Sequence, residues 1–247
     1  MDIILNYDET LEDLQCKGYK IIQRADRFKF GIDAVLAAHF SEKFINPGDT
    51  ILDLGTGTGI IPILIAARSL DAKIVGLEIQ EDMAEMARRS VQLNKLDERI
   101  SIVTGNIVSP PPLPHSTYNH VISNPPYKKV GSGIINPGNS KAVSRHEVLC
   151  TLEDVLSLAA KCLKQHGIFT MVNRPERLCD CMELMRKYKL EPKVIRFVHP
   201  SPNKAPNMML IRCIKNGKPF LKTEPPLYVF DESGKHTDEI NEIYNRE

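Results

Sequence analysis

The chain has almost no net charge, no paired cysteines and no long apolar run. Its formal charge is only +1 over 247 residues, which excludes a polycation that coats nucleic acid by charge alone. Six cysteines stand at 16, 150, 162, 179, 181 and 213, none in a C-x-x-C pair. The one close pair, Cys179 and Cys181, has neither a second pair nor a histidine cluster beside it. That excludes a structural zinc and predicts free thiols in a reducing compartment. The longest apolar stretch, Ile60 to Ala67, is far shorter than the ~20 residues of a membrane-spanning helix. No basic-then-apolar leader is visible near Asp2 and Glu9, so the expectation is a cytoplasmic protein with no membrane partner and no bound metal. No internal repeat appears.

What is present is an ordinary globular balance, 42% hydrophobic and 26% charged, in a length that suits one α/β domain. The charge is unevenly spread. From Arg186 to Lys222 ten basic residues face Glu191 alone, and Lys17, Lys20, Arg24, Arg27 and Lys29 face Asp26. Such clusters are either solvated faces or a local footprint for phosphates.

Residues 1–49 form an N-terminal extension, with a short strand at Gly18–Gln23 and a helix at Ile32–Phe44, ahead of a main domain over 50–247. Strands and helices then alternate. Strands are predicted at Thr50–Leu54, Lys73–Leu77, Ile100–Thr104, Tyr118–Ser123, Gly167–Val172, Pro192–Val198 and Met208–Ile214. Helices are predicted at Ile60–Ser69, Glu81–Asn94, Thr151–Gln165 and Pro175–Tyr188, the third opened by a Thr151-x-x-Asp154 capping box. The alternation predicts a mostly parallel seven-stranded sheet with helices on both faces. Two stretches interrupt it: the proline-rich Ser109–His115, and a loop at Lys128–Arg145. A loop of that length inside a compact domain is usually functional.

Gly55, Gly57 and Gly59 follow the first strand of the alternation and open its helix. Glycines there let the backbone turn sharply and bring a ligand close to main-chain N–H groups. A dinucleotide site would place its third glycine at position 60, which is Ile. Glu78 ends the next strand, where doubly wound folds set an acid on ribose hydroxyls. The G-x-G-x-G form resembles the motif of class I S-adenosylmethionine-dependent methyltransferases. That likeness implies a Rossmann-like fold, S-adenosyl-L-methionine as cofactor, and contacts from Asp53, Gly55, Gly57, Gly59, Glu78, Ile79, Asn106 and Asn124. Asn106 is expected at the adenine of the cofactor. Asp53 is expected to orient the turn or the cofactor's amino group. Asp33 is expected either near the methionine end or as a helix N-cap.

Asn124-Pro125-Pro126-Tyr127 ends the fourth strand, about sixty-five residues beyond the glycine turn. An exocyclic amine on a ring is a poor nucleophile because its lone pair is delocalised. Two acceptors, Asn124 Oδ1 and the Pro125 carbonyl, would draw the nitrogen toward tetrahedral geometry and aim its lone pair at a methyl group. The prolines keep the segment rigid and extended, and Tyr127 can stack on a flat substrate. The residues leave the nitrogen open: adenine N6, cytosine N4, guanine N2 and a glutamine amide all suit this geometry.

Several stretches together are similar to the tRNA1(Val) (adenine-37-N6)-methyltransferase family. They are Gly18–Gln23, Phe28-x-Phe30-Gly31-x-Asp33-Ala34-Val35-Leu36, Leu52–Pro62, Gly76–Gln80, Ser144–Glu147, His199-Pro200 with Asn207-Met208, and Lys222–Tyr228. The resemblance covers nearly the whole chain, with Asn106 standing where many relatives carry Asp. It implies N6-methylation of the adenine 3′ of the anticodon of a valine tRNA, with Lys128, Lys129, Arg145, His146 and Lys204 meeting the RNA. A release-factor glutamine methyltransferase shares the Asn-Pro-Pro-Tyr motif but resembles a two-domain enzyme with a larger N-terminal part. A DNA adenine methyltransferase needs a target-recognition insertion that is missing here. A non-catalytic binding module would require a broken site, and every key position is intact.

Overall fold

The computed structural model describes residues 5–24, 31–69, 71–125 and 150–244. Pro126, Tyr127, Lys128, Lys129, Arg145 and His146 lie outside them, as does the expected 128–145 loop.

The described chain opens with a hairpin, β1 (Glu9–Asp13) antiparallel to β2 (Lys20–Arg24). Only its second strand is predicted above, because Glu9–Asp13 is too acidic to read as a strand. Its partner is supplied from outside: Arg89 forks onto both Glu9 carboxylate oxygens at 2.9 and 2.5 Å. That ion pair holds the Glu9 carboxyl down at about 2. Helix α1 (Ile32–Glu42) follows; it is N-capped by Gly31, not by Asp33, which sits buried in the first turn.

The main sheet then begins with β3 (Thr50–Leu54), α2 (Ile60–Arg68), β4 (Lys73–Glu78), α3 (Glu81–Leu93), β5 (Ile100–Thr104) and β6 (Tyr118–Ser123). Ile60 through Ala67 are all buried, so α2 is apolar on every side and sits inside the layers. Helix α3 instead buries one stripe, Ala84, Met86, Ala87, Ser90 and Val91.

Helix α4 (Leu152–Cys162) carries the expected capping box, with the Asp154 carboxylate accepting from Thr151 N at 2.8 Å. It ends three residues earlier than its sequence pattern predicts. Leu163 is pulled into β7 (Leu163–Asn173) by pairing with Tyr118, and a register shift there absorbs the irregularity. A short 3-10 turn (Pro175–Arg177) leads into α5 (Leu178–Lys187), then β8 (Leu190–His199) and β9 (Met208–Lys215). The last part of the chain adds β10 (Lys222–Thr223), β11 (Leu227–Tyr228) and α6 (Asp238–Ile243), none of them predicted.

The sheet order is β10-β8-β9-β7-β6-β3-β4-β5, with β11 also on β8. Seven long strands form its body, and β9 alone runs antiparallel to its neighbours. The two short strands extend the edge at β8. From β3 the chain proceeds outward through β4 and β5, then returns to place β6 on the other side of β3. That reversal is a topological switch point, and in open α/β sheets it leaves a crevice at the C-terminal strand ends.

Candidate active site

The register of the central strands brings the separate motifs into one row. Leu54 pairs with Leu77 on one side and Ser123 on the other, and Ser123 Oγ donates to the Leu54 carbonyl at 2.9 Å. One residue higher stand Glu78, Gly55 and Asn124, on three adjacent strands. Glu78 in turn pairs with Thr104, which puts Gly105 and Asn106 beside it. Strands lie ~4.8 Å apart, so Glu78 and Asn124 are separated by roughly 10 Å along this rim. That is the reach of a small elongated molecule laid across the crevice.

Gly55, Gly57 and Gly59 all take positive φ, at +78, +57 and +86 degrees. Gly59 also packs so closely that a Cβ there would sit 3.3 Å from Ala87 Cβ. The turn is held from below, with Gly55 N and Thr56 N both donating to the Leu77 carbonyl at 2.9 and 3.0 Å. Glu78 grips it from the side. One of its oxygens accepts from Gly57 N at 2.9 Å, and the other from Gln80 N at 2.9 Å and Gln80 Nε2 at 3.3 Å. A carboxylate offers about four acceptor positions, and these three bonds leave one. The simultaneous grip on two hydroxyls expected from sequence therefore competes with Gln80.

Asp53 is completely buried, and neither carboxylate oxygen makes a well-formed hydrogen bond, although the Thr56 hydroxyl lies close enough to favour its charged form. Burial pushes its carboxyl up to about 7; the nearby Glu78 charge adds to the rise, while the Thr56 hydroxyl opposes it. That hydroxyl is itself buried without a satisfied hydrogen bond. Orphaned acceptors under a glycine turn are costly in isolation. They fit a ligand that brings hydrogen-bond donors or a positive charge, as an amino-acid ammonium does.

Asn106 Oδ1 accepts from Val108 N at 2.9 Å, closing a turn after β5. Ile79 is half-buried beside Glu78. Asn124 is half-buried at the end of β6, and Pro125 is buried. Asp33 is buried in α1, its carboxylate accepting from Ala34 N at 3.0 Å. Lys204 lies exposed in the turn after β8, at the same end of the sheet but three strands from β6, roughly 15 Å along the rim.

Three residues that shape the site were not singled out from sequence. Gly76 in β4 makes room for Thr56, whose side chain a Cβ would meet at 2.9 Å. Gly105 makes room for the proline-rich connection, since a Cβ would lie 2.6 Å from Pro111 Cδ. Gln23 of β2 is buried against Thr58 of the glycine turn, its Nε2 at 3.5 Å from Thr58 Oγ1. Their sequence signals are slight: Gly76 and Gln23 fall inside stretches that resemble the family, and Gly105 is a lone glycine just past a strand.

The basic run after Arg186 is largely consumed within the fold. Arg186 pairs with Glu191, Lys187 with Glu153 and Arg196 with Glu239. Arg212 lies over the Phe44 ring, 3.6 Å from its centroid. Lys193 and Lys215 donate to backbone carbonyls. The buried His120–Asp49 pair, at 3.1 Å, stands at the opposite end of the sheet from the crevice. Among the described residues no group of His, Cys, Asp or Glu could hold a metal ion, and no helix is long and apolar enough to cross a membrane.

Comparison with known proteins bears on the family and the fold. Residues 25–190 match the methyltransferase small domain. A tRNA1(Val) (adenine(37)-N6)-methyltransferase of Bacteroides thetaiotaomicron is 30% identical over 214 residues, covering 85% of this chain and 86% of the relative. The Pedobacter heparinus protein of the same name is 28% identical over 223 residues, covering 90% and 92%. Among solved structures, a predicted O-methyltransferase of Agrobacterium tumefaciens aligns with a TM-score of 0.70 at 24% identity, over 87% of this chain and 96% of that one. That last likeness concerns the fold alone.

Proposed function

Since the chain belongs to the tRNA1(Val) (adenine(37)-N6)-methyltransferase family and carries its methyltransferase small domain, we propose that it methylates N6 of an adenine in tRNA, at position 37 of a valine tRNA, using S-adenosylmethionine. One observation carries this reading: Asn106, Glu78, Gly55 and Asn124 stand in a row at the switch point, with Asp53 buried beside them.

When bound, S-adenosylmethionine supplies an electrophilic methyl group on a sulfonium. Asn106 would meet an adenine edge, Glu78 would offer its remaining acceptor position to the ribose, and Asp53 would serve the amino-acid end. Asn124 Oδ1 and the Pro125 carbonyl accept the two N–H groups of the target amine. Both acceptors favour the positive charge that develops on nitrogen, so they act more strongly in the transition state than before it. No strong base is required ahead of the attack, because the extra proton leaves afterwards. Tyr127, one residue further on past Pro126, is assigned to stack on the adenine. Lys128, Lys129, Arg145, His146 and Lys204 are assigned to the RNA backbone of the anticodon loop, and the cytoplasm is where that substrate is met.

The test is transfer of labelled methyl groups to total tRNA, ribosomal RNA, DNA and release factor, followed by digestion and mass spectrometry. N6-methyladenosine in tRNA alone is the expected product. Label on a ribosomal base or a glutamine amide would refute the assignment.

A further inference from the structure

Seven buried side-chain nitrogen or oxygen atoms among the described residues lack a hydrogen-bond partner, and four of them crowd around the glycine turn. Three belong to the turn and the strand before it: both oxygens of Asp53, and Thr56 Oγ1. The fourth, Gln23 Oε1, comes from the N-terminal hairpin.

Gln23 is 2% exposed. A primary amide can make about four hydrogen bonds, yet this one makes a single long one, to Thr58. Anchoring the hairpin does not explain its presence, because other groups already do so. Ile22 N donates to Ser90 Oγ at 2.9 Å, Lys20 N to Asn94 Oδ1 at 2.9 Å, and Asn94 Nδ2 returns to the Lys20 carbonyl at 2.7 Å. These bonds clamp β2 along α3 and fix where the Gln23 side chain begins. The amide is thus buried, pre-positioned and poorly matched, beside the turn that also holds Asp53 and Thr56. Native proteins leave few such atoms, so each calls for an explanation.

We propose that Gln23 is part of the S-adenosylmethionine site: its Nε2 steadies Thr58 of the glycine turn, and its carbonyl oxygen accepts from a hydrogen-bond donor of the bound cofactor. The hairpin is then a wall of the cofactor site as well as an appendage on α3. This rests on the cofactor assignment made above and adds a residue to it.

Gln23→Met keeps the unbranched shape without the amide, and Gln23→Leu serves as a second variant. S-adenosylhomocysteine binding is measured by calorimetry beside the melting temperature of the ligand-free proteins. Replacing a poorly bonded polar group by an apolar one of similar shape is nearly neutral or stabilising. The ligand-free melting temperature should therefore hold or rise, while affinity for S-adenosylhomocysteine drops about tenfold or more. Affinity equal to wild type in both variants would overturn the inference. So would a melting temperature lowered by more than about 5 °C in both variants with binding retained, since the amide would then be a strut of the fold. If the wild type itself binds no S-adenosylhomocysteine, the cofactor assignment fails and takes this inference with it.

Discussion

Replacing Asp53 by Asn separates what the buried acid costs the fold from what it does for a ligand. In an unfolded chain the carboxyl ionises at its ordinary value of 3.8; in the folded protein it holds its proton up to about 7. Between those values the native state binds the extra proton, so stability falls as pH rises through the window and levels off above it. The full cost corresponds to about 4 kcal/mol at ~1.36 kcal/mol per pH unit. Asn carries no such slope, only the ~1–3 kcal/mol of an unmatched buried amide. Asp53→Asn should therefore be more stable than wild type by about 1–3 kcal/mol near pH 8, and should lose that advantage below about pH 4. Urea denaturation of both ligand-free proteins at several pH values measures this, and the difference between them cancels every other titrating group. The same substitution removes a charge-assisted acceptor, so S-adenosylhomocysteine affinity should fall about tenfold or more. Wild-type affinity should rise between about pH 6 and pH 8 as the carboxyl ionises. Parallel pH slopes in the two proteins would refute the claim that Asp53 is the raised group. Undiminished binding by the variant would remove it from the ligand site.

Asn124→Ala should lower turnover by a hundredfold or more, on the order of several kcal/mol of transition-state stabilisation, with S-adenosylhomocysteine affinity nearly unchanged; a parental rate would end the acceptor role. Gly105→Ala would set a methyl 2.6 Å from Pro111 Cδ and 3.1 Å from Leu77 Cδ1. It should cost about 1–3 kcal/mol in chemical denaturation, and wild-type stability would mean that the proline segment yields freely. Lys128→Ala combined with Lys129→Ala should weaken tRNA binding and lower the salt slope of log Kd by about 1–2. An unaltered slope would take that pair out of the interface.

The local elements could be read from sequence wherever local pattern and tertiary demand agreed. The apolar strand before the glycines, the glycine turn itself, the capping box at Thr151 and the amphipathic stripe of α3 each depend on neighbours a few residues away. The motif residues could likewise be named in advance, because Gly55 and Asn124 carry chemistry that few other residues supply. Pairing partners follow no such local rule. The charge that hides β1 in the sequence is answered by Arg89 from a helix eighty residues away, and α4 stops where Leu163 finds Tyr118 in the sheet. The charge-rich run after Arg186 shows the same limit: only the fold decides which lysines and arginines meet a carboxylate and which face solvent.

By itself, the sequence determined which groups the chain brings to a reaction: an amide followed by prolines, a flexible glycine turn, and acids at the strand ends. Only the tertiary structure decided that these groups share one row, because the order of strands β6-β3-β4 is a long-range choice set by burial and register. It also decided that Asp53 and Gln23 lie buried with carbonyl or carboxylate oxygens unanswered. Hydrogen bonding and burial depend on every element packed around a side chain, and a linear pattern holds only the few that adjoin it in the chain.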